Sequence, residues 1–437
     1  MLHSAPRRTE ETSTTPILTL PFEITSNIFI HCITETAEPD ISSAPLLLGQ
    51  ICRCLRSVVL STPQLWSSFC ETIHVDKSLD VTPSRYASLS ELLQIWLSLS
   101  ATRPLRLTLR YQGIRIRPTP APIHFLLLQH AHRWEHLNLY LPHSDLVQLF
   151  EIFTGSYPLL RTLVISMPHY GDVTPPLSFA PLRNSLLLKK LDVGLDRLRP
   201  SLSGVPWTQL TSFSGELSLA DAHEVFRRSP SLRECAIEFP GDVHQPPASH
   251  IPLRLPNLRA LEITSRSSAE GFSLLAYLTL PGLQQLKYPY VDNHTIQHVL
   301  DFLSRSLCPL AHLSTMAMSL DEAHFASMFT ALPHLVEINL NVAMDSPMTI
   351  VSLLHCKKQH LPRLTAVRLG ATGPIDYGIL ADMLESRTAT GVTQLRSFEC
   401  SFALFPGPYR GASSTGEERL KALADVGMDI TLYNRHF

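Results

Sequence analysis

Apolar residues recur in a loose repeat along most of this chain. From about residue 100 onward, an amphipathic stretch, a proline and the pattern L-x-x-L-x-[LIV] follow one another, and the first leucine returns after 22 to 31 residues. Copies begin at Leu160, Leu188, Leu232, Leu258, Leu283, Leu313, Leu335, Leu364 and Leu395, with looser copies at Trp134 and Leu210. A period in this range is typical of solenoid proteins, in which each repeat buries its apolar face against the next.

Prolines mark the place where each repeat changes from helix to strand. Proline stands two residues before the first leucine in six copies, at Pro158, Pro230, Pro256, Pro281, Pro333 and Pro362. Because proline cannot continue a helix, it predicts the end of the preceding helix, and the alternating leucines after it predict a short strand. Amphipathic stretches such as residues 292–306, 321–332 and 377–388 predict the helices.

The repeat therefore predicts an α/β fold for residues 104–437. Right-handed connections between parallel strands would give a curved solenoid, with the sheet on the concave side and the helices on the convex side. The pattern resembles leucine-rich repeats, although most copies lack the asparagine that follows the strand in the best-known members. We therefore expect irregular loops in place of an asparagine ladder, and a closing helix–strand pair from Leu420 to Leu432.

Two apolar stretches near the N-terminus predict a small helical module. In residues 20–33, one helix face carries Ile24, Ile28, Phe29, Cys32 and Ile33. Residues 44–61 predict a second helix, whose apolar face carries Leu48, Ile51, Leu55, Val58 and Val59, with Arg53 and Arg56 toward solvent. Proline at position 63 ends this run, and the segment Q-L-W-S-S-F closes the module.

The phrases of this module resemble the F-box, and especially the F-box-like variant common in fungal proteins. They are L-P-x-E-I at residue 20, A-P-L-L-L-G at residue 44, a Cys-Arg after an apolar run, and S-T-P-x-L-W-S-S at residue 61. The resemblance covers roughly residues 16–75 and implies binding to the Skp adaptor of a cullin–RING ubiquitin ligase. The positions that match the adaptor-facing pattern are Leu20, Pro21, Ile24, Ile28, Phe29, Ile51, Cys52 and Trp66.

This interpretation divides the chain into a disordered tail (1–16), an F-box-like module (17–75), a connecting helix (76–103) and the repeat region (104–437). The chain departs from the family at Leu55, where tryptophan is usual, and at Cys54, where arginine is common. Leucine can fill a helix core, so the departure bears on adaptor affinity rather than on the fold. The alternative is that the module is only a helical cap on the solenoid.

Composition and charge narrow the class of protein. With 44% hydrophobic and 17% charged residues, the chain is expected to fold, and a net charge of −2 gives no electrostatic reason to expect nucleic acid. No run of 18 or more apolar residues predicts a membrane span, and residues 1–16 lack the apolar core of a secretory signal. Eight scattered cysteines indicate reduced, buried thiols, and hence a cytoplasmic or nuclear protein.

The strongest enzyme-like motif runs from His132 to His136 and fits H-x-x-E-H, which binds zinc when a helix holds both histidines on one face. Here the alternating leucines of a repeat strand begin at His136, so the helix is expected to stop before the motif is complete. Cys52-x-Cys54 lacks a second pair of ligands, and the chain contains neither a phosphate-binding G-x-x-x-x-G-K-[ST] loop nor a G-x-S-x-G elbow. We expect no enzyme activity, no metal and no cofactor.

The predicted strands also provide a candidate target-binding face. The residue between the last two apolar positions of each strand should point away from the core; these residues are Asn138, Val164, Asp192, Glu262, Lys287, Ala317, Asn339, Arg368 and Glu399. Their mixed charges give no sign of a nucleic-acid site. The sequence thus predicts the substrate-recognition subunit of a Skp–cullin–F-box ubiquitin ligase, which holds a target protein of unknown identity. The alternative is an F-box and repeat scaffold that acts outside a ligase.

Overall fold

A computed structural model describes the following residues of the chain: 16–33, 37–75, 83–113, 121–150, 156–167, 177–194, 203–239, 252–265, 268–318, 320–342, 347–355, 360–371, 376–388, 395–403 and 414–435. The chain divides into two compact units. The first comprises residues 1–172 and 177–188, and the second comprises residues 173–176 and 189–437. Most of the predicted tail (residues 1–15) lies outside the described residues.

The first unit joins a helical N-terminus to a parallel sheet. Its helices are α1 (Phe22–His31), α2 (Leu46–Ile51), α3 (Arg53–Leu60), α4 (Pro83–Leu99), α5 (Ala121–Gln129) and α6 (His143–Phe150). Its strands are β1 (Ser68–Val75), β2 (Leu105–Gly113), β3 (Trp134–Tyr140) and β4 (Thr162–Ser166), and they pair in that order. Short 3-10 turns lie at Pro16–Thr19, Pro63–Trp66, Ala131–Arg133 and Ala180–Asn184.

The second unit continues the alternation of strand and helix. Its main sheet contains β5 (Lys190–Val193), β6 (Ser212–Glu216), β7 (Glu234–Phe239), β9 (Ala260–Ser265), β11 (Gln285–Val291), β12 (His312–Ala317), β13 (Glu337–Val342), β14 (Ala366–Ala371), β15 (Ser397–Ala403) and β16 (Asp429–Arg435). Strands β8 (Leu253–Arg254) and β10 (Leu278–Thr279) form a separate parallel pair. The helices are α7 (Leu219–Arg228), α8 (Ser268–Tyr277), α9 (Ile296–Ser306), α10 (Glu322–Thr330), α11 (Pro347–Leu353), α12 (Tyr377–Thr388) and α13 (Ser414–Asp425), and a 3-10 turn lies at Trp207–Gln209.

The predicted α/β repeat is confirmed. The strands of each main sheet pair in chain order and in parallel, and most begin two residues after the first leucine of a sequence repeat. These leucines form the core; Leu160, Leu188, Leu258, Leu335 and Leu364 are fully buried. Among the described residues, no helix has both the length and the apolar character needed to cross a membrane.

Two details of the predicted repeat are wrong. The copy assigned to Leu313 begins at Leu310, since His312 pairs with Gln285 and Leu313 pairs with Leu286 of the preceding strand. The sheet also begins before residue 104. The segment expected to close the helical module leads directly into β1, which pairs with β2 along its whole length.

Arginine side chains connect the repeats where an asparagine ladder is absent; Arg133 and Arg387 are buried, whereas Arg305 is exposed. Arg133, Arg305 and Arg387 each reach back about one repeat to carbonyl groups at the end of an earlier helix. A guanidinium group near the end of a helix complements the negative end of the helix dipole, and it satisfies carbonyls such as those of Leu275 and Leu354 that lack an acceptor role within the helix. The acceptors are Ser100 and Arg103 after α4, Leu275 and Leu278 at the end of α8, and Leu354, His360 and Leu361 after α11.

Candidate protein-binding surfaces

Helix α1 presents most of its apolar side chains to solvent. Only Thr25 and Phe29 of this helix are buried, whereas Ile24 and Ile28 are 49% and 40% exposed. The predicted single apolar face is therefore split. Phe29 anchors the helix to the module, and the isoleucines one turn apart form an exposed row.

The predicted second helix is two helices, separated at Cys52. This residue is extended, with φ −158° and ψ 168°, and its sulfur accepts a hydrogen bond from the Leu55 amide at 3.5 Å. The break turns α2 away from the axis of α3, so that Ile51 is 61% exposed rather than on the core face. Leu55 is buried, as expected for a leucine that fills the core in place of tryptophan.

Trp66 lies in the core and not on the module surface. Its Nε1 donates to the Val59 carbonyl at 3.0 Å, and its ring packs edge-on against Trp96 of α4 with centroids 4.8 Å apart. Trp96 in turn donates to the Ser68 carbonyl at 2.8 Å. Of the eight predicted adaptor-facing positions, Phe29 and Trp66 thus hold the module together. Leu20, Pro21, Ile24, Ile28 and Ile51 are exposed, and Cys52 is half-buried.

Exposed apolar side chains are concentrated in this module. Nine of the eighteen large apolar side chains that are exposed among the described residues lie between residues 18 and 60. Five of them are not among the positions predicted from the sequence, namely Leu18, Phe22, Ile41, Leu47 and Leu60. An apolar pattern alone assigns such residues to a core, and only the packing of α1 to α3 shows which ones remain outside. Concentrated exposed apolar residues are typical of a protein-binding surface.

The predicted target-binding residues of the second unit form one row across the sheet. Strand register places side by side Asp192, Ser214, Ala236, Glu262, Lys287, Ser314, Asn339, Arg368, Glu399 and Thr431. The position predicted at Ala317 is wrong, because that side chain is buried and Ser314 occupies the place in the row. In the first unit, Asn138 and Val164 are paired in the same way, beside Thr108.

A groove of about 760 Å³ lies over this row in the second unit. It extends from β5 to β14, and its lining includes five of the predicted residues, Asp192, Glu262, Lys287, Asn339 and Arg368. Glu399 lies just beyond the lining, where its Oε2 accepts from Arg368 Nε at 3.1 Å. Residues more than 170 positions apart in the sequence therefore share one surface.

Two cationic side chains of the groove, Lys287 in its middle and Arg368 at its β14 end, form ion pairs within the protein. Lys287 pairs with Glu262, and Arg368 pairs with Glu337 as well as with Glu399. His312 Nδ1 lies 3.2 Å from Glu337 Oε2. These side chains are partly exposed, so each pair contributes only about 0–1 kcal/mol to stability. They do, however, reduce the positive charge that the groove offers to a ligand.

Asp192 is a carboxyl group of the row whose environment opposes its charge. Burial raises its pKa, although a hydrogen bond with Ser214 and the nearby charge of Lys190 act in the opposite direction. Glu234 also lines the groove, two strands away. Perturbed carboxyl groups of this kind are more common at binding sites than elsewhere on a surface.

The H-x-x-E-H segment forms a turn followed by a strand. Ala131–Arg133 is a 3-10 turn and β3 begins at Trp134, so His132 and His136 do not share a helix face. Burial and Arg106 lower the pKa of His136, while Glu135 forms an ion pair with Arg161 at 3.3 Å. Within the described ranges, no three His, Cys, Asp or Glu residues are grouped so that they could hold a metal ion.

The cysteines of the described residues are free thiols. Cys70, Cys235 and Cys400 are buried as expected, but Cys32 and Cys54 are exposed, which corrects the expectation that all are in the core. Cys356 lies outside the described residues. Burial raises the pKa of Cys400 to about 12, so this thiol stays protonated at neutral pH.

Comparison with known proteins adds no family assignment. No protein-family model matches the chain. A search of curated proteins also finds no match.

Proposed function

We propose that this protein is the substrate-recognition subunit of a Skp–cullin–F-box ubiquitin ligase. In this role the N-terminal module docks a Skp-type adaptor and, through it, the cullin–RING ligase. The repeats of the second unit, a leucine-rich-repeat-like solenoid in this proposal, hold the target protein, and another subunit supplies the chemistry of ubiquitin transfer.

The observation that carries this proposal is the exposed apolar surface of residues 18–60. A side chain such as Ile24 or Ile51 gains little from folding while it stays in water, whereas burying it against a partner contributes about 1 kcal/mol or more. Four of the exposed residues, Leu20, Ile24, Ile28 and Ile51, are positions where the F-box resemblance implies contact with the adaptor. Exposure of these residues supports docking and disfavours a module that is only a cap on the sheet.

The first prediction concerns this docking surface. Ile24→Asp together with Ile28→Asp should reduce binding of a purified Skp-type adaptor at least tenfold, since both charges would have to be buried at the interface. Asn27→Asp, an exposed polar position of the same helix, is the matched control and should bind as the wild type does. Isothermal titration calorimetry would measure affinity, and circular dichroism would verify that each variant is folded.

Two outcomes would contradict the proposal. A folded wild-type protein that does not bind the adaptor would remove the ligase role and leave the alternative of a binding scaffold outside a ligase. Equal adaptor binding by wild type and the double variant would show that another surface docks the adaptor.

A further inference from the structure

The charges in the groove of the second unit indicate the chemistry of the target. This inference rests on the proposed function, in which the repeats hold a protein. Eight acidic, basic or histidine side chains line the groove: Lys190, Asp192, Glu234, Glu262, Lys287, His312, Glu337 and Arg368. Which of these remain available to a ligand is decided by the contacts that they already make.

The cations in the middle of the groove and at its β14 end already form ion pairs with carboxylates of the same protein. Arg368 lies between Glu337 and Glu399, and Lys287 bonds to Glu262. An acidic ligand would have to compete with these carboxylates for each cation. Lys190 is the remaining lysine of the lining, and it lies at the β5 end.

The carboxylates at the β5–β7 end outnumber the cations of the lining there. Within the described part of the chain Glu234 forms no ion pair. Asp192 is hydrogen-bonded to Ser214, and Lys190, two residues before it on β5, is the nearby cation. Between these two residues the floor is formed by the short side chains of Ser212, Ser214 and Ala236. Since neighbouring strands are about 4.8 Å apart, Asp192 and Glu234 lie on strands separated by roughly 10 Å, with open space above the residues between them.

We propose that this groove binds a segment of the target protein that carries clustered lysine or arginine side chains. Basic side chains of this segment lie over Ser212 and Ser214 of β6, where Asp192 on one side and Glu234 on the other accept their hydrogen bonds. A cation at this position offsets the unfavourable burial of the Asp192 carboxylate, which Ser214 and Lys190 compensate only in part in the free protein. The ion-paired cations toward β14 face the neutral or acidic part of the same segment.

Two arginines outside the groove limit how the segment lies. Arg233 and Arg259 are exposed, lie just before β7 and β9, and are neighbours across the sheet edge, where the Arg259 amide donates to the Arg233 carbonyl at 2.7 Å. They do not line the groove. A basic segment therefore keeps away from this edge, and the edge itself is the place where an acidic or phosphorylated segment would bind instead.

The test uses the full chain and three fluorescent 12-residue peptides in anisotropy titrations. One peptide carries four lysines among glycine and serine, one carries four glutamates in the same positions, and one carries four phosphoserines. The lysine peptide should bind the wild type best and weaken as salt rises. Asp192→Asn with Glu234→Gln should reduce its affinity at least tenfold, whereas Arg233→Gln with Arg259→Gln should preserve or improve it.

A matched control separates local recognition from general attraction by negative charge. Glu418→Gln with Asp425→Asn removes the same two charges from the exposed face of α13 and should leave binding of the lysine peptide unchanged. Equal loss of lysine-peptide affinity in the Asp192→Asn/Glu234→Gln variant and in the Glu418→Gln/Asp425→Asn variant would overturn the inference. So would preference for a glutamate or phosphoserine peptide that depends on Arg233 and Arg259, or binding of no peptide at all.

Adaptor titration on the same proteins distinguishes the two proposals. The groove variants should bind the adaptor like the wild type, because the substitutions lie outside the N-terminal module. If the lysine peptide binds through Asp192 and Glu234 while the adaptor does not bind, the inference holds and the ligase role fails. If the adaptor binds and the lysine peptide does not, the ligase role holds and the inference fails.

Discussion

Arg387 shows how one side chain can connect two neighbouring repeats through hydrogen bonds. Only 4% of this residue is exposed, and its guanidinium donates to the carbonyls of Leu354, His360 and Leu361 at 2.7–2.9 Å. A planar group with donors on three nitrogens fits several acceptors at once, which a lysine ammonium does not. The Leu361 carbonyl also accepts from the Leu364 amide at 3.2 Å, so Arg387 adds a second hydrogen bond to that acceptor.

We therefore expect Arg387→Ala to lower the free energy of unfolding by about 3 kcal/mol or more, since it removes three charge-assisted hydrogen bonds and the packing of a buried side chain. Arg387→Lys should lose less, because it keeps one donor. Urea unfolding followed by circular dichroism would measure both. Arg396→Ala, at an exposed arginine, should change the unfolding free energy by under about 0.5 kcal/mol; comparable losses at both positions would refute a special role for Arg387.

The sequence pattern predicted the burial and contacts of a residue only where neighbouring positions in the chain decide them. Leu258 and Leu335 are buried because alternation along one strand decides their direction, and that alternation is visible in the sequence. Arg387 was not predicted, because its acceptors lie about 30 residues away and become adjacent only after the repeats stack. Phe29 is buried whereas the adjacent Ile28 is exposed, and this difference depends on packing against α3 and the Trp66 turn rather than on periodicity.

At the scale of elements, the break at Cys52 creates the exposed face of the N-terminal module. Continuous helix from residue 46 to residue 60 would have kept Ile51 on the same face as Leu55. Gly49 weakens the helix before the break, and the Cys52 sulfur then caps the start of α3. Amphipathic spacing alone does not reveal such a break, since both halves follow the same helical period.

If the Cys52 side chain stabilises the start of α3, the unfolding free energy should depend on how well the atom at this position accepts a hydrogen bond. Because a hydroxyl oxygen accepts from a helix amide better than a thiol does, Cys52→Ser should preserve stability or raise it by up to about 0.5 kcal/mol, while Cys52→Ala should lower it by roughly 0.5–1 kcal/mol. Urea denaturation gives both values. The exposed Cys54→Ser serves as control for loss of a thiol. Identical stabilities for the Ser and Ala variants at position 52 would show that the sulfur does not act as a cap.

For the molecule as a whole, strand register is what assembles the candidate site. The groove of the second unit brings together Asp192, Glu262 and Arg368, each from a different repeat. The strand pattern predicted that all three side chains point away from the core. It did not predict which charged side chains form ion pairs, because the pairs of Glu262 with Lys287 and of Arg368 with Glu399 join neighbouring strands. A mixed list of signs in the sequence therefore becomes, in the sheet, ion-paired cations toward β14 and an excess of negative charge toward β5, where Asp192 and Glu234 line the groove with Lys190.

Stacked repeats also predict how the second unit responds to loss of its last pair of elements. Strand β16 covers one edge of β15, and α13 joins α12 through Arg419, which lies 2.6 Å from both Asp382 and Glu385. Removing residues 414–437 would leave β15 with unpaired amides and would expose the apolar surface that Leu420 and Met428 cover.

In a structure where each repeat is stabilised mainly by its neighbours, the damage should remain local. Hydrogen exchange measured by mass spectrometry should show faster exchange in β15 and α12 of the shortened chain, with β6 and β7 protected as in the wild type. The unfolding free energy should fall by about 3 kcal/mol or more. A chain shortened only after Arg435 is the control and should behave like the wild type. If instead β6 and β7 lost protection together with β15, the second unit would fold as one cooperative block, and stacking between neighbours would not explain its stability.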